Sequence, residues 1–140
     1  DISPFPKLIR KYIDNLENLT VKNSGMHLNL AMNYGGRDEI VNATKKISKL
    51  VLTKKINIEQ IDENIVEQNL YTNHQKDPDL IIRTAGETRL SNFLLWQSAY
   101  SELYFTDKTW PDFKAPDFNL ALEFYASRIR KFGTVKKKSL

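Results

Sequence analysis

Cysteine is absent from this 140-residue sequence. That excludes disulfides and thiolate metal sites, and it is compatible with a reducing compartment. Histidine is nearly absent too: only His27 and His74 occur. His27 has no second metal-type ligand at useful spacing and reads as a hydrogen-bonded structural residue; His74 reads as a surface one. No glycine-rich loop ending in Lys-Ser/Thr exists, and no GxGxxG follows a strand, which argues against the common nucleotide-binding loops. No apolar run approaches the roughly 20 residues of a membrane span. No signal peptide is expected at the start, and the opening Asp1 in place of methionine is read as processing or proteolysis. Internal repeats, low-complexity blocks and dividing linkers are also missing.

What is present fits one folded domain with a real core. Lysine and arginine number 21 against 17 acidic residues, a net charge of +4 with the two signs interspersed. Such mild basicity suits phosphorylated substrates or an anionic membrane surface, and it is too weak to argue for nucleic acid.

Along the chain, Leu8, Ile9, Tyr12, Ile13, Leu16 and Leu19 fall at helical spacing, so Lys7 to Leu19 reads as an amphipathic helix with a core-facing stripe. Asn23-Ser24-Gly25 breaks it. Met26, Leu28, Leu30 and Met32 then alternate with polar or small residues, the pattern of a strand. Asn33-Tyr34-Gly35-Gly36-Arg37 leads into a helix through Ile40, Val41, Thr44, Ile47, Leu50 and Val51. A double glycine before a helix can cradle phosphate, but more often it only permits a tight turn. Lys54-Lys55 reads as a solvated helix end, and Ile61, Ile65, Val66 and Leu70 suggest a short helix before a polar loop from Tyr71 to Asp77. Late in the chain, Pro116-Asp117 opens a last helix with a buried stripe of Phe118, Leu122, Tyr125, Ile129 and Phe132, stopped by Gly133.

The stretch from Asp79 to Phe113 organises the rest. Leu80-Ile81-Ile82 is an apolar strand ending on Arg83; a loop with Gly86 carries Arg89; Ser91-Asn92 lead into Phe93–Trp96, which reads as the start of a buried helix. A further strand is expected at Leu103–Phe105. Charge delivered by a strand into a loop at its C-terminal end is how open α/β sheets bind ligands. Helix N-termini attract anions, and guanidinium forks match phosphate oxygens. The residues therefore predict a phosphate or diphosphate pocket made by Arg83, Arg89, Ser91 and nearby backbone.

Arg83-Thr-Ala-Gly-Glu-Thr-Arg-Leu-Ser-Asn-Phe-Leu-Leu-Trp-Gln, then Tyr100-Ser-Glu-Leu-Tyr-Phe and Trp110-Pro-Asp-Phe, resembles the signature of the cis-prenyltransferases, the undecaprenyl diphosphate synthase type above all. Asn33-Tyr34-Gly35-Gly36-Arg37, followed after one residue by Glu39-Ile40, is similar to a second stretch of that family and implies a site-proximal loop, without a direct ligand role for Arg37. The resemblance runs from end to end of this chain but covers only the second half of the family pattern. The first-half Asp-Gly-Asn-Gly-Arg-Trp-Ala-like motif, whose aspartate binds Mg²⁺ in the family, does not occur here.

The resemblance implies an α/β fold with a mostly parallel sheet flanked by helices, of which about three strands are expected here. Residues 1–134 would be the C-terminal part of a single domain and residues 135–140 a basic tail. It implies that Arg83, Arg89 and Ser91, with the backbone of Leu90, bind the diphosphate of isopentenyl diphosphate, and that Glu102 is a catalytic carboxylate helping to hold Mg²⁺. Glu102 can lie far from Ser91 in one subunit and serve a partner in a homodimer. The implied reaction condenses isopentenyl diphosphate onto an allylic diphosphate such as farnesyl diphosphate, with cis geometry. In bacteria the product is the lipid carrier of cell-wall building blocks, which implies a cytoplasmic enzyme, peripheral to the membrane, with the basic tail allowing transient contact. Ala85 stands where glycine or another small residue is usual, and Lys131-Phe132-Gly133 where Arg-Phe-Gly is frequent. With the first-half motif missing, the alternative is a non-catalytic partner subunit on the same fold; the complete Arg83–Arg89–Ser91 set argues against it. Product chain length is not readable from these residues.

Overall fold

The computed structural model describes residues 2–73 and 75–129. His74, Lys131, Phe132, Gly133 and the basic tail, about which the sequence raised expectations, lie outside them. The chain divides into two compact units, residues 1–35 and 36–140.

The first unit is one helix and one extended segment. Helix α1 spans Lys7–Thr20, as the periodicity predicts. Its apolar stripe is not core, however. Leu8, Tyr12 and Leu16 are about three-fifths exposed and Leu19 more so, and no residue of α1 is buried. A helix and an extended segment offer too little surface to cover such a stripe. The alternating segment from Met26 to Met32 is extended but joins no strand ladder, and Met26, Leu28 and Leu30 are exposed. Alternation predicts extended backbone; a strand also needs a neighbour to bond. His27 is exposed with it.

The second unit carries the sheet. Helix α2 spans Gly36–Leu52 and buries Gly36, Glu39, Ala43 and Ile47, a face on which the small Gly36 and Ala43 let neighbours approach closely. It ends with Lys54 left-handed (φ 55°), while Lys55 N–H reaches back to Leu50 O at 2.9 Å, closing the last turn. A 3₁₀ turn at Ile58–Gln60 and the short α3, Glu63–Glu67, follow; Asp62 caps α3 by accepting from Ile65 N–H at 2.9 Å. Helix α3 packs on α2, and Leu70 beyond it is 2% exposed.

Strands β1 (Leu80–Arg83) and β2 (Glu102–Phe105) pair in parallel, Leu80 opposite Glu102 and Arg83 opposite Phe105. They form the only ladder among the described residues, two strands rather than the three expected. After a 3₁₀ turn at Trp110–Asp112, helix α4 covers Ala115–Ala126. Pro116 occupies its first turn, and Asp117 accepts from the Lys114 N–H at 2.9 Å. Of the predicted stripe, Tyr125 faces inward, but Phe118 and Leu122 are more than two-fifths exposed and Ile129 lies beyond the helix at 80% exposure. The inward face is Asp117, Ala121, Phe124 and Tyr125, with Ala121 fully buried so that α4 lies close on β2. There the Tyr104 and Phe124 rings sit 5.4 Å apart. The architecture is α/β, a parallel strand pair flanked by helices. No helix among the described residues is long and apolar enough to cross a membrane.

Candidate functional site

The loop that leaves β1 is built as a continuation of the ladder. Thr106 N–H bonds Arg83 O at 3.0 Å, Gly86 N–H bonds Thr106 O at 3.0 Å, and Ala85 N–H bonds Lys108 O at 2.7 Å. These bonds hold Ala85 (φ 67°) and Gly86 (φ 69°) left-handed. At Gly86 a side chain would also stand 3.2 Å from Asp107 Oδ1, whereas Ala85 bears the strain with a Cβ in place. The Lys108 side chain is in turn fixed by Asp117 at 3.2 Å. The Asp117 carboxyl is lowered from its ordinary 3.8, chiefly by the Lys114 N–H; desolvation opposes this, and Lys108 adds to it.

Further along, Leu90 to Phe93 form a tight turn closed by Phe93 N–H to Leu90 O at 3.0 Å. Both central residues are left-handed, Ser91 at φ 49° and Asn92 at φ 64°, the pattern of a type I′ turn. Leu94 follows at φ 45°. This overturns the expected helix at Phe93–Trp96: three left-handed residues replace a helix start, and the segment to Tyr100 runs in successive turns. The anion site therefore has no helix N-terminus behind Ser91. Leu94, Leu95 and Trp96 are half-buried and Phe93 is exposed, short of the buried segment expected.

The turn brings two predicted site residues together. Arg83 Nη2 donates to Ser91 Oγ at 3.3 Å. Arg83 Nε is buried and has no hydrogen-bond partner among the described residues, an orphaned donor in a half-buried guanidinium. Leu90 sits between the arginines in sequence; its carbonyl closes the turn, and its side chain joins Ile82, Phe93, Leu103 and Phe105 around an apolar cavity of about 240 Å³ edged by Arg83. Arg89 stands apart. Its side chain is 68% exposed and its guanidinium is ion-paired with Glu87, a partner the sequence reading missed although it lies two residues away.

Glu102 is not at this site within one chain. It starts β2 opposite Leu80, three ladder positions from the Arg83 end, about 10 Å along the strands. Its Oε2 accepts from Arg128 Nε at 3.0 Å. No group of three His, Cys, Asp or Glu side chains able to hold a metal ion occurs among the described residues.

The other features that reading missed are the bonds tying this loop to α2. Gly36 N–H donates to Asn92 O at 2.7 Å, and Arg37 N–H to Asn92 Oδ1 at 2.8 Å. A Cβ on Gly36 would come within 2.9 Å of Leu95 Cγ and 3.1 Å of its backbone N, so glycine is required by close approach. The double glycine is therefore a packing feature: with its N–H spent on Asn92, Gly36 does not cradle phosphate. One turn on, the Glu39 carboxylate, 1% exposed, accepts from Gln97 Nε2 at 3.1 and 3.2 Å and from Tyr71 N–H at 2.7 Å. Gln97 also donates to Thr72 Oγ1 at 2.8 Å. The only signal for this knot was Glu39 within the family-like stretch after Asn33.

Beyond it, Asp77 is raised from its ordinary 3.8, first by burial and then by Glu67. It borders a cavity lined also by Asn64, Gln68 and Thr72, none of them part of the loop that follows Arg83.

A prenyltransferase family model, described as undecaprenyl diphosphate synthase, matches residues 1–133. The chain is 49% identical over 133 residues to a tritrans,polycis-undecaprenyl-diphosphate synthase (geranylgeranyl-diphosphate specific) of Thermoplasma volcanium, covering 95% of this chain and 52% of that one. It is 48% identical over 135 residues to a ditrans,polycis-undecaprenyl-diphosphate synthase ((2E,6E)-farnesyl-diphosphate specific) of Buchnera aphidicola, with 96% and 54% coverage. Among solved structures, lavandulyl diphosphate synthase from Lavandula x intermedia, in complex with dimethylallyl diphosphate, superimposes with a TM-score of 0.92 at 46% identity, over 96% of this chain and 58% of the other. The chain spans about half the length of the curated relatives it matches.

Proposed function

The chain belongs to the cis-prenyltransferase family, and on that footing we propose that it supplies the isopentenyl diphosphate site of an enzyme that condenses this substrate onto an allylic diphosphate with cis geometry. The observation that carries the reading is Arg83 at the end of β1, its Nη2 on Ser91 Oγ and its Nε without a partner, beside an apolar cavity. A diphosphate needs cationic donors and a hydroxyl; a five-carbon alkenyl tail needs an apolar recess. Both requirements meet at Arg83.

In this reading Arg83 and Ser91 hold one phosphate group, and Arg89 engages the other on release from Glu87. Leu90 walls the tail side. Their work is positioning, setting the double bond against the allylic carbon as diphosphate departs. Farnesyl diphosphate is the proposed allylic partner; the relatives' names assign geranylgeranyl or farnesyl specificity to those proteins at nearly equal identity.

Mg²⁺ belongs to the proposal through Glu102. One carboxylate with diphosphate oxygens and water suits this ion, and the ion neutralises charge on the leaving diphosphate. Because Glu102 lies at the opposite end of the strand pair from Arg83, the diphosphate it serves is held outside its own chain's Arg83 pocket, which favours a homodimer. Residues 1–134 are accordingly proposed as the C-terminal part of one domain completed by an N-terminal half. Cytoplasmic placement, peripheral membrane contact and a role in supplying the cell-wall lipid carrier complete the reading.

The test is a Mg²⁺-dependent transfer assay with farnesyl diphosphate and labelled isopentenyl diphosphate. No product from the chain alone, with product on adding the N-terminal half of a relative, is the expected result. Product from the chain alone would show that it carries the allylic site as well. Absence of product in both cases, with the two halves shown to associate, would overturn the proposal.

A further inference from the structure

The first turn of α2 is capped from afar. A helix usually satisfies its leading N–H groups with a side chain just before it. Here Asn92, 55 positions away from Arg37, does so twice, through its carbonyl to Gly36 N–H and through Oδ1 to Arg37 N–H. Asn92 is itself one of two consecutive left-handed residues, and the other is Ser91, whose hydroxyl meets Arg83. Consecutive left-handed non-glycine residues do not hold that shape unaided; surrounding bonds must impose it. Besides the turn's own bond from Phe93 N–H to Leu90 O, the bonds that hold it are the two to α2, reinforced five residues on by Gln97 gripping Glu39. The requirement for glycine at position 36 belongs to the same junction, since a side chain there would push Leu95 and Asn92 away.

We propose that Asn92 is a positioning residue for the diphosphate loop: by locking the Ser91–Asn92 turn onto the first turn of α2, it holds the Ser91 hydroxyl where Arg83 and a diphosphate oxygen converge. This rests on reading that loop as a diphosphate site. Asn92 touches no substrate in this role. It acts through Ser91, and it couples occupancy of the loop to the start of α2. Because binding and coupling are reciprocal, diphosphate in the loop tightens the Asn92 bond to Arg37 N–H.

The experiment pairs calorimetric titration of the 140-residue chain with inorganic diphosphate and amide hydrogen exchange at Gly36 and Arg37. Asn92→Gly permits the left-handed backbone, keeps the carbonyl that Gly36 N–H meets, and removes the side-chain amide with its Oδ1 acceptor. The expected result is an affinity lower by about tenfold, as for loss of a supporting contact that misplaces a binding group. Diphosphate should slow exchange of the Arg37 amide in the wild-type chain but not in this variant. A residue that merely capped α2 would change baseline exchange without that ligand dependence. Asn92→Asp retains the acceptor and should retain the ligand-dependent protection, which keeps the test usable if the glycine variant folds poorly. Wild-type affinity in Asn92→Gly, or an Arg37 amide indifferent to diphosphate in the wild-type chain that binds it, overturns the inference. A wild-type chain that binds no diphosphate overturns the proposed function instead, and this inference falls with it.

Discussion

Glu87 and Arg89, two residues apart in one loop, are ion-paired with each other, so the more exposed of the two site arginines is already neutralised. An arriving diphosphate must displace that carboxylate. Removing its charge should therefore help binding. Glu87→Gln is expected to tighten inorganic diphosphate by about two- to fivefold, the range set by exposed ion pairs. Calorimetry at low and moderate salt checks it; weaker binding would mean that Glu87 orients Arg89 rather than competing for it.

Arg83 and Arg89 should differ in consequence. Arg83 is half-buried, bonded to Ser91 and carries the orphaned Nε, whereas Arg89 is mostly exposed. In an enzyme completed by the N-terminal half, Arg83→Ala should raise KM for isopentenyl diphosphate by about ten- to a hundredfold, matching the loss of charged hydrogen bonds. Arg89→Ala should raise it less. Steady-state kinetics with the allylic substrate saturating give the comparison, and unchanged KM in both variants would sink the assignment.

Ala85 offers a gain in stability. Its φ of 67° is costly for alanine and natural for glycine. Relief of left-handed strain outweighs the added chain entropy of glycine, so Ala85→Gly should stabilise the fold by about 0.5–1 kcal/mol. Denaturant midpoints of the two chains measure this directly. A destabilised variant would show that the Lys108 and Thr106 bonds, not residue 85, carry the loop.

What could be read from the sequence was local. Helices α1 and α2 and strand β1 follow from spacing within each segment, and their observed bounds agree closely with it; α4 begins as expected but ends at Ala126, short of the stop expected at Gly133. The joining of Arg83 to Ser91 followed from the family-like motif. Burial phase was harder, because whether Leu8 or Phe118 faces a core depends on what lies opposite, and the stripe alone does not say. The Phe93–Trp96 helix failed for a tertiary reason: Asn92 bends away to bond α2, and that bond leaves no trace in local propensity. Glu39 and Gln97, 58 positions apart, were likewise invisible as a pair.

Gly36 gives the sharpest packing test. A methyl group there meets Leu95 Cγ at 2.9 Å and backbone at 3.1 and 3.2 Å. The backbone cannot swing aside as a side-chain tip can. Gly36→Ala should cost about 1–3 kcal/mol despite alanine's better helix propensity, as overpacking does. An unchanged midpoint in urea would show that the junction of α2 with Leu95 yields freely.

Asp117 predicts an acid-sensitive loop support. Its folded-state pKa is lowered by the Lys114 N–H and by Lys108, so its contribution is present above the unfolded value of 3.8 and is lost as pH falls through the folded value. Asp117→Asn should therefore be less stable than wild type near neutrality, the gap narrowing in strong acid. Urea midpoints measured at neutral and acidic pH test it; a gap independent of pH would assign the loss to geometry rather than charge.

Because β1 and β2 run parallel, their first ladder bond cannot form until the whole connection from residue 84 to 101 has closed back on itself. That connection is ordinarily a helix that forms quickly on its own; here it is a run of turns, five of its residues left-handed, held by local bonds and by the distant ones to α2. Loop closure must come before any reward from pairing, which makes this step slow by nature. The segment that would bind substrate is thus also the segment whose closure paces folding of the sheet. Substitutions at Ser91, Asn92 or Leu94 are accordingly expected to change the rate of folding as well as the proposed diphosphate site.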